Sequence, residues 1–225
     1  MMLRPRPPAA RRRSFGLAPL VLLLVAVLQL GGCAALDALQ VITREPPQLF
    51  NITPKSTFAP GLPTVDARLA VEVPTATAGL NTSRIALRPT PTTLDYYAGA
   101  QWIDVVPVMV QNLLIESFDN SDRVDVLGRE TVGVRANYAL ITHIREFQAE
   151  YPRGLEAPPE VRVRLQVRLV ELPRRTHVAS TSAESVVRAR TGATNDVVLA
   201  FDEAFGRTVG EIVEWAIGEM AAAEG

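Results

Sequence analysis

Between positions 161 and 169 apolar and polar residues alternate without a break. Val161, Val163, Leu165, Val167 and Leu169 fall on one side, and Arg162, Arg164, Gln166 and Arg168 on the other. Side chains of an extended chain project to opposite faces every second residue, so this run is a strand with one dry face and one basic face. A strand cannot bury a dry face alone; it needs neighbours in a sheet and a layer packed on them. The flanking sequence supplies both. Residues 68–73 and 84–88 alternate in the same way, ended by Pro74 and by Pro89 with Pro91. Residues 93–97 form a further short strand stopping at Gly99, and residues 79–83 read as a turn. Residues 124–127, 138–151 and 177–189 follow, and within 138–151 the alternation slips once, which predicts a β-bulge.

Two segments carry helical periodicity. Val106, Met109, Val110, Leu113, Leu114 and Phe118 make one continuous apolar stripe, with Gln111 on the opposite face. Pro107 fixes the start, since proline is tolerated only in a first turn. Asp104 is placed as its N-cap, Ile103 and Val108 as a hydrophobic staple, and Asn120 as the stop. The second helix begins at 192–195, carries Val198, Phe201, Phe205, Val209, Ile212 and Ala216, and frays in Ala221–Ala223. Strands, helix, strands, helix is an α/β order. It predicts a single domain with a mixed sheet of about five or six strands and two long helices packed on it.

The N-terminus is of another kind. Arg4, Arg6 and Arg11–Arg13 precede an apolar core centred on Leu20–Leu28, which closes on Leu30-Gly31-Gly32-Cys33. Charge, apolar run and small residues in that order are a secretory signal, and an apolar run of about 15 residues is too short to span a bilayer. Leu30–Cys33 resembles the lipobox of bacterial lipoproteins, which implies that Cys33 is lipidated and becomes the mature N-terminus. As the only cysteine of the chain it has no intrachain disulfide partner. Ala34 stands where bacterial sorting rules read Asp as inner-membrane retention, so the resemblance implies the outer membrane. Residues 1–32 are thus assigned to the signal peptide. Residues 33–63, with Pro46, Pro47, Pro54, Pro60 and Pro63, read as a lipidated N-terminus and extended spacer, with a short edge strand at 49–53. Residues 64–218 are the folded domain and 219–225 a disordered tail.

Cleavage also changes the charge. Five of the 23 basic residues lie in the signal and no acidic residue does, leaving 18 against 24 and a balance of −6. An acidic domain argues against nucleic acid as a partner. Catalytic patterns are missing from the sequence. His143 and His177 have no Cys, Asp or Glu at metal-ligand spacing, and neither a nucleophile-elbow serine nor a phosphate-cradling glycine loop occurs. Nothing calls for a cofactor or a metal. Asp202 and Glu203 are adjacent on a helix and point apart. Arg162, Arg164 and Arg168 have two readings: a solvent face ion-paired with residues such as Glu160 and Glu171, or a surface that meets phosphate headgroups.

Three blocks carry a family likeness. The run from Tyr96 to Asp104 with Pro107, Gln111, Leu114 and Phe118, then Glu146–Glu150, then Phe201–Phe205, resembles the auxiliary lipoproteins of ABC-type transport systems, the PqiC-like, MCE-associated family. The resemblance implies an α/β fold, no catalytic residues, and an outer-membrane anchor facing the periplasm. Its partners would be an MCE-type substrate-binding protein with the associated ABC permease and ATPase, the membrane through the lipid anchor, and phospholipid as a further ligand. The function implied is that of a non-enzymatic docking subunit for lipid transport. An envelope assembly factor, such as an activator of cell-wall synthesis or a secretin pilot, is the alternative.

Overall fold

The computed structural model describes residues 45–128 and 134–224. Cys33, the signal segment and the first part of the expected spacer, through residue 44, lie outside the described residues. The chain divides into a unit ending at Pro46 and a folded unit from Pro47 onward.

Among the described residues nine strands form one mixed sheet. These are β1 (Gln48–Phe50), β2 (Arg68–Val71), β3 (Thr75–Ala76), β4 (Arg84–Thr90), β5 (Thr93–Trp102), β6 (Asp125–Leu127), β7 (Tyr138–Glu150), β8 (Glu160–Glu171) and β9 (Thr176–Arg188). The helices are α1 (Val106–Asp119) and α2 (Thr194–Glu224). The sheet is organised on β7. One edge of it pairs along its whole length with β8, antiparallel, and β8 pairs in turn with β9. The other edge is shared by three short parallel strands: β2 at Tyr138–Leu140, β3 at His143 and Ile144, β4 at Ala149 and Glu150. From β2 the sheet extends to β6, and from β4 through β5 to β1.

The sheet thus has more strands than the five or six expected: the short segments at 49–53 and 124–127 also join it, and the two-residue β3 carries too little pattern to read. The bulge expected in β7 is present, as a register shift between Ile144 and Glu146. Two strands run past their expected ends. β4 continues through Pro89 at an irregularity in its pairing, where no ladder N–H is required. β5 continues through Gly99, whose φ of +66° lets the strand bend without ending.

The core lies between one face of the sheet and the helices. Val161, Val163, Leu165, Val167 and Leu169 are fully buried, as are Phe201, Phe205, Val209, Ile212 and Ala216 of α2. The α1 stripe is buried throughout. Its cap is not Asp104: Val105 occupies the N-cap with no side-chain bond, and Asp104 Oδ1 accepts from the Val105 N–H instead, 2.7 Å away. Ile103 is 55% exposed and, two residues ahead of the Val105 cap, does not occupy the staple position. Gln111 also departs from expectation. It is buried, and its Nε2 donates to the Val71 carbonyl at 2.8 Å, tying α1 to the end of β2.

Two boundaries move as well. Residues from Gln48 onward, expected to be spacer apart from an edge strand at 49–53, are part of the fold: the edge strand is present as β1, shorter than expected and paired with β5, and Ile52 beyond it is 1% exposed. The chain then crosses both helices as a strap. The Thr53 N–H and hydroxyl donate to Asp202, the Lys55 N–H to Ser117 Oγ, and the Ala59 N–H to Glu214. At the other end α2 runs to Glu224 with Met220 fully buried, so the tail expected from 219 is helical up to that residue. Thr191 caps α2 from one residue outside the expected segment: its Oγ1 accepts from the Ala193 N–H and donates to Asp196, an acid in the first turn that complements the helix dipole.

Candidate functional site

With both helices on one face, the strict alternation of β8 leaves Arg162, Arg164, Gln166 and Arg168 on the other. Their partners follow from register. Arg162 lies opposite Gln148 of β7 and Val186 of β9, and Arg164 opposite Glu146 and Glu184. Arg164 Nη2 donates to Glu146 Oε1 at 2.7 Å, and Arg162 Nε to Glu150 Oε2 at 3.1 Å, while Arg162 also binds Glu184. Gln148, 3% exposed, donates from one amide nitrogen to both Glu146 and Glu150, and its carbonyl accepts from the Phe147 N–H. The arginine face is therefore ion-paired, but with carboxylates of the neighbouring strands and not with Glu160 and Glu171. Glu160 instead meets Arg153 and Arg188. Arg168 makes no ion pair among the described residues.

The bulge in β7 alters this face. Both Arg145 and Glu146 reach the open side, and the Arg145 guanidinium donates twice to Gln166 Oε1. Beside them the β4–β5 hairpin continues the sheet from the end of β7. Tyr97 and Tyr151 join hydroxyls at 2.7 Å where the hairpin meets the end of β7, and burial, with that hydrogen bond, raises the Tyr97 phenol above its usual value. His143 pairs with Thr75, and His177 is exposed. Among the described residues no group of three or more His, Cys, Asp or Glu has the arrangement of a metal site, and no helix is long and apolar enough to cross a membrane.

Residues 48–213 match the family of the ABC-type transport auxiliary lipoprotein component. The chain belongs to that family. An uncharacterized Bradyrhizobium diazoefficiens protein, bll6063, is 29% identical over 168 residues. Those residues cover 75% of this chain and 44% of that relative, so the chain spans less than half the relative's length. Among solved structures, protein XCC0632 of Xanthomonas campestris is 25% identical with a TM-score of 0.73, over 79% of this chain and 98% of that one. An uncharacterized protein at 10% identity shares the fold with a TM-score of 0.59, over 76% and 99%.

In this auxiliary lipoprotein the three sequence blocks meet in space. Trp102 from the first, Phe147 from the second, and Phe201 and Phe205 from the third form one aromatic cluster. Ring centroids lie 5.1 Å apart for Trp102–Phe201 and Phe147–Phe201, and 5.8 Å for Trp102–Phe147. Trp215 is only partly buried and joins none of these ring contacts. The apolar members of the blocks are thus core. Their polar members do other work: Glu146, Gln148 and Glu150 build the open face, and Asp202 holds the strap. Asp202 and Glu203 do point apart, Glu203 pairing with Arg207. Glu184 and the strap contacts escaped sequence reasoning. Only the pairing register reveals the first, and no local pattern marks the second.

Proposed function

We propose that this chain is a non-catalytic, outer-membrane-anchored subunit that docks an MCE-type ABC lipid transporter from the periplasmic side. The observation that carries the reading is the open face of β7, β8 and β9, with its charges held in fixed pairs. A rigid face of this kind meets a protein partner with little side-chain ordering cost, and its charges favour one orientation. Membership of the transport auxiliary family supports a role beside an ABC system.

Cys33 is the proposed lipid attachment point, and two or three acyl chains at about 0.8 kcal/mol per buried methylene hold a protein on a bilayer without help from its surface. The folded unit begins at Pro47, fourteen residues beyond Cys33. At about 3.6 Å per residue that is a reach of about 50 Å at most, half of what a spacer to residue 63 would give. The domain therefore works close to its membrane, and the trans-periplasmic part of the transporter has to come to it.

Affinity purification of the tagged full chain from solubilised membranes tests the reading. MCE protein, permease and ATPase are expected to co-purify, and to be lost from the outer-membrane fraction with Cys33→Ser. Recovery of cell-wall synthases alone would replace it with the envelope-assembly alternative.

A further inference from the structure

We infer that the cleft between the β4–β5 hairpin and β7 is an anion subsite for a phosphate ester of headgroup size, with Arg145 as its principal cation. The inference does not depend on transporter docking. The cleft holds about 250 Å³ and is lined by Arg88, Arg145, Gln148, Thr77, Thr92 and Thr93 on its polar sides. Pockets for drug-sized ligands run to about 300–1,000 Å³, so the space takes a headgroup and not acyl chains.

Charge decides which anion contacts are available. Arg162 and Arg164 are matched by Glu146, Glu150 and Glu184, and Arg88 lies 3.5 Å from Glu150. Among the described residues Arg145 is held by the neutral oxygen of Gln166 alone, which orients the guanidinium without cancelling its charge. Four arginines then stand against three glutamates, an excess of one positive charge on a domain whose expected balance is −6. Glu146 also lines the cleft, but its carboxylate already accepts from Arg164 at 2.7 Å and Gln148 at 3.0 Å, with Arg162 at 3.4 Å. Guanidinium forks and hydroxyls are the groups that recognise phosphate oxygens.

The bulge gives this a structural origin. Without the extra residue, the alternation of β7 would send Arg145 and Glu146 to opposite faces, one of them into the core. Bulges re-aim side chains in this way beside functional sites. The opposite wall is fixed too. Tyr96 Oη donates to the Gly79 carbonyl at 3.0 Å, Arg84 stacks on the Tyr96 ring, and Leu94 packs so closely on Gly79 that a Cβ there would lie 2.5 Å from its methyl.

Calorimetric titration of the full chain in a non-ionic detergent tests the site with inorganic phosphate, glycerol 3-phosphate and dihexanoylphosphatidylglycerol as probes. Saturable 1:1 binding of the two esters is expected. Arg145→Gln should weaken it about tenfold, the scale of one charged hydrogen-bonded contact, and Arg145→Lys should weaken it less. Arg168→Gln, exposed on the same face but outside the cleft, should leave affinity unchanged, and circular dichroism should match across the variants. Tighter binding of the esters than of inorganic phosphate assigns a headgroup. Tighter or equal binding of inorganic phosphate, failure to saturate, or equal losses in the Arg145 and Arg168 variants would overturn the proposal.

Discussion

Alternate residues of β7 and β8 make two surfaces that differ in almost every physical respect. On the inner side Val161, Val163, Leu165, Val167 and Leu169 lie under α2 with no exposed surface, and Phe147 joins the aromatic cluster. Each such side chain contributes about 1.5–3 kcal/mol by leaving water. On the outer side Arg162, Arg164, Glu146, Glu150 and Glu184 keep between a fifth and two fifths of their side-chain surface in solvent. Ion pairs this wet contribute about 0–1 kcal/mol each. The difference separates the roles of one strand pair. The inner face holds the fold together, so the outer face is free to carry the charges that the proposed docking would use.

Truncating the inner face should give the largest effect. Phe201→Ala removes the ring that touches both Trp102 and Phe147, and a loss of about 3–5 kcal/mol in a urea melt is expected. A loss below 1 kcal/mol would mean that the cluster does not organise the core.

Gln111→Ala comes next. The residue is polar yet buried, and its removal strands the Val71 carbonyl, at an expected cost of about 1–3 kcal/mol. Tolerance within about 0.5 kcal/mol, the behaviour of a surface site, would return Gln111 to the solvent face that its sequence position indicates.

These two residues mark what was legible. Periodicity located both helices, the long strands and the bulge, because burial on one face writes itself into sequence at spacings of two or three to four. Phe201 was readable on that ground. Gln111 was not, since its burial comes from the end of β2, a contact across forty residues that leaves no local trace. The strap at 53–59 was hidden for the same reason, as proline-rich composition looks alike whether the chain is free or laid across two helices. On the outer face the arginines were visible and their partners were not, because choosing Glu146 and Glu184 over Glu160 and Glu171 requires the strand register.

Effects on the outer face should be smaller. Glu146→Gln removes one carboxylate from Arg164 and Arg162 and is expected to cost about 1 kcal/mol or less, with part of it recovered in the double variant with Arg164→Gln. A loss as large as that of Phe201→Ala would erase the division between the faces.

The smallest expected effect depends on pH. Asp119, in the last turn of α1, has its carboxyl raised above 3.8, first by burial and then by the charges of Asp125, Glu116 and Asp122. Ionisation therefore penalises the folded state. The penalty is complete above the folded value and absent below 3.8, so stability falls as pH rises through that window. Asp119→Asn should raise the melting temperature at pH 7 by no more than about 2 °C, and the gain should vanish at pH 3. A gain that persists at pH 3 would point to packing instead of charge.

The central claim is that the open face of β7, β8 and β9 receives a transport partner. A photo-crosslinking amino acid placed at Arg168, in cells carrying the full chain, tests it most directly. The same substitution at Glu211, exposed on α2, serves as the comparison. Capture of an MCE protein from position 168 and not from position 211 is predicted. Capture from 211 alone, or of cell-wall synthases alone from 168, would contradict the account.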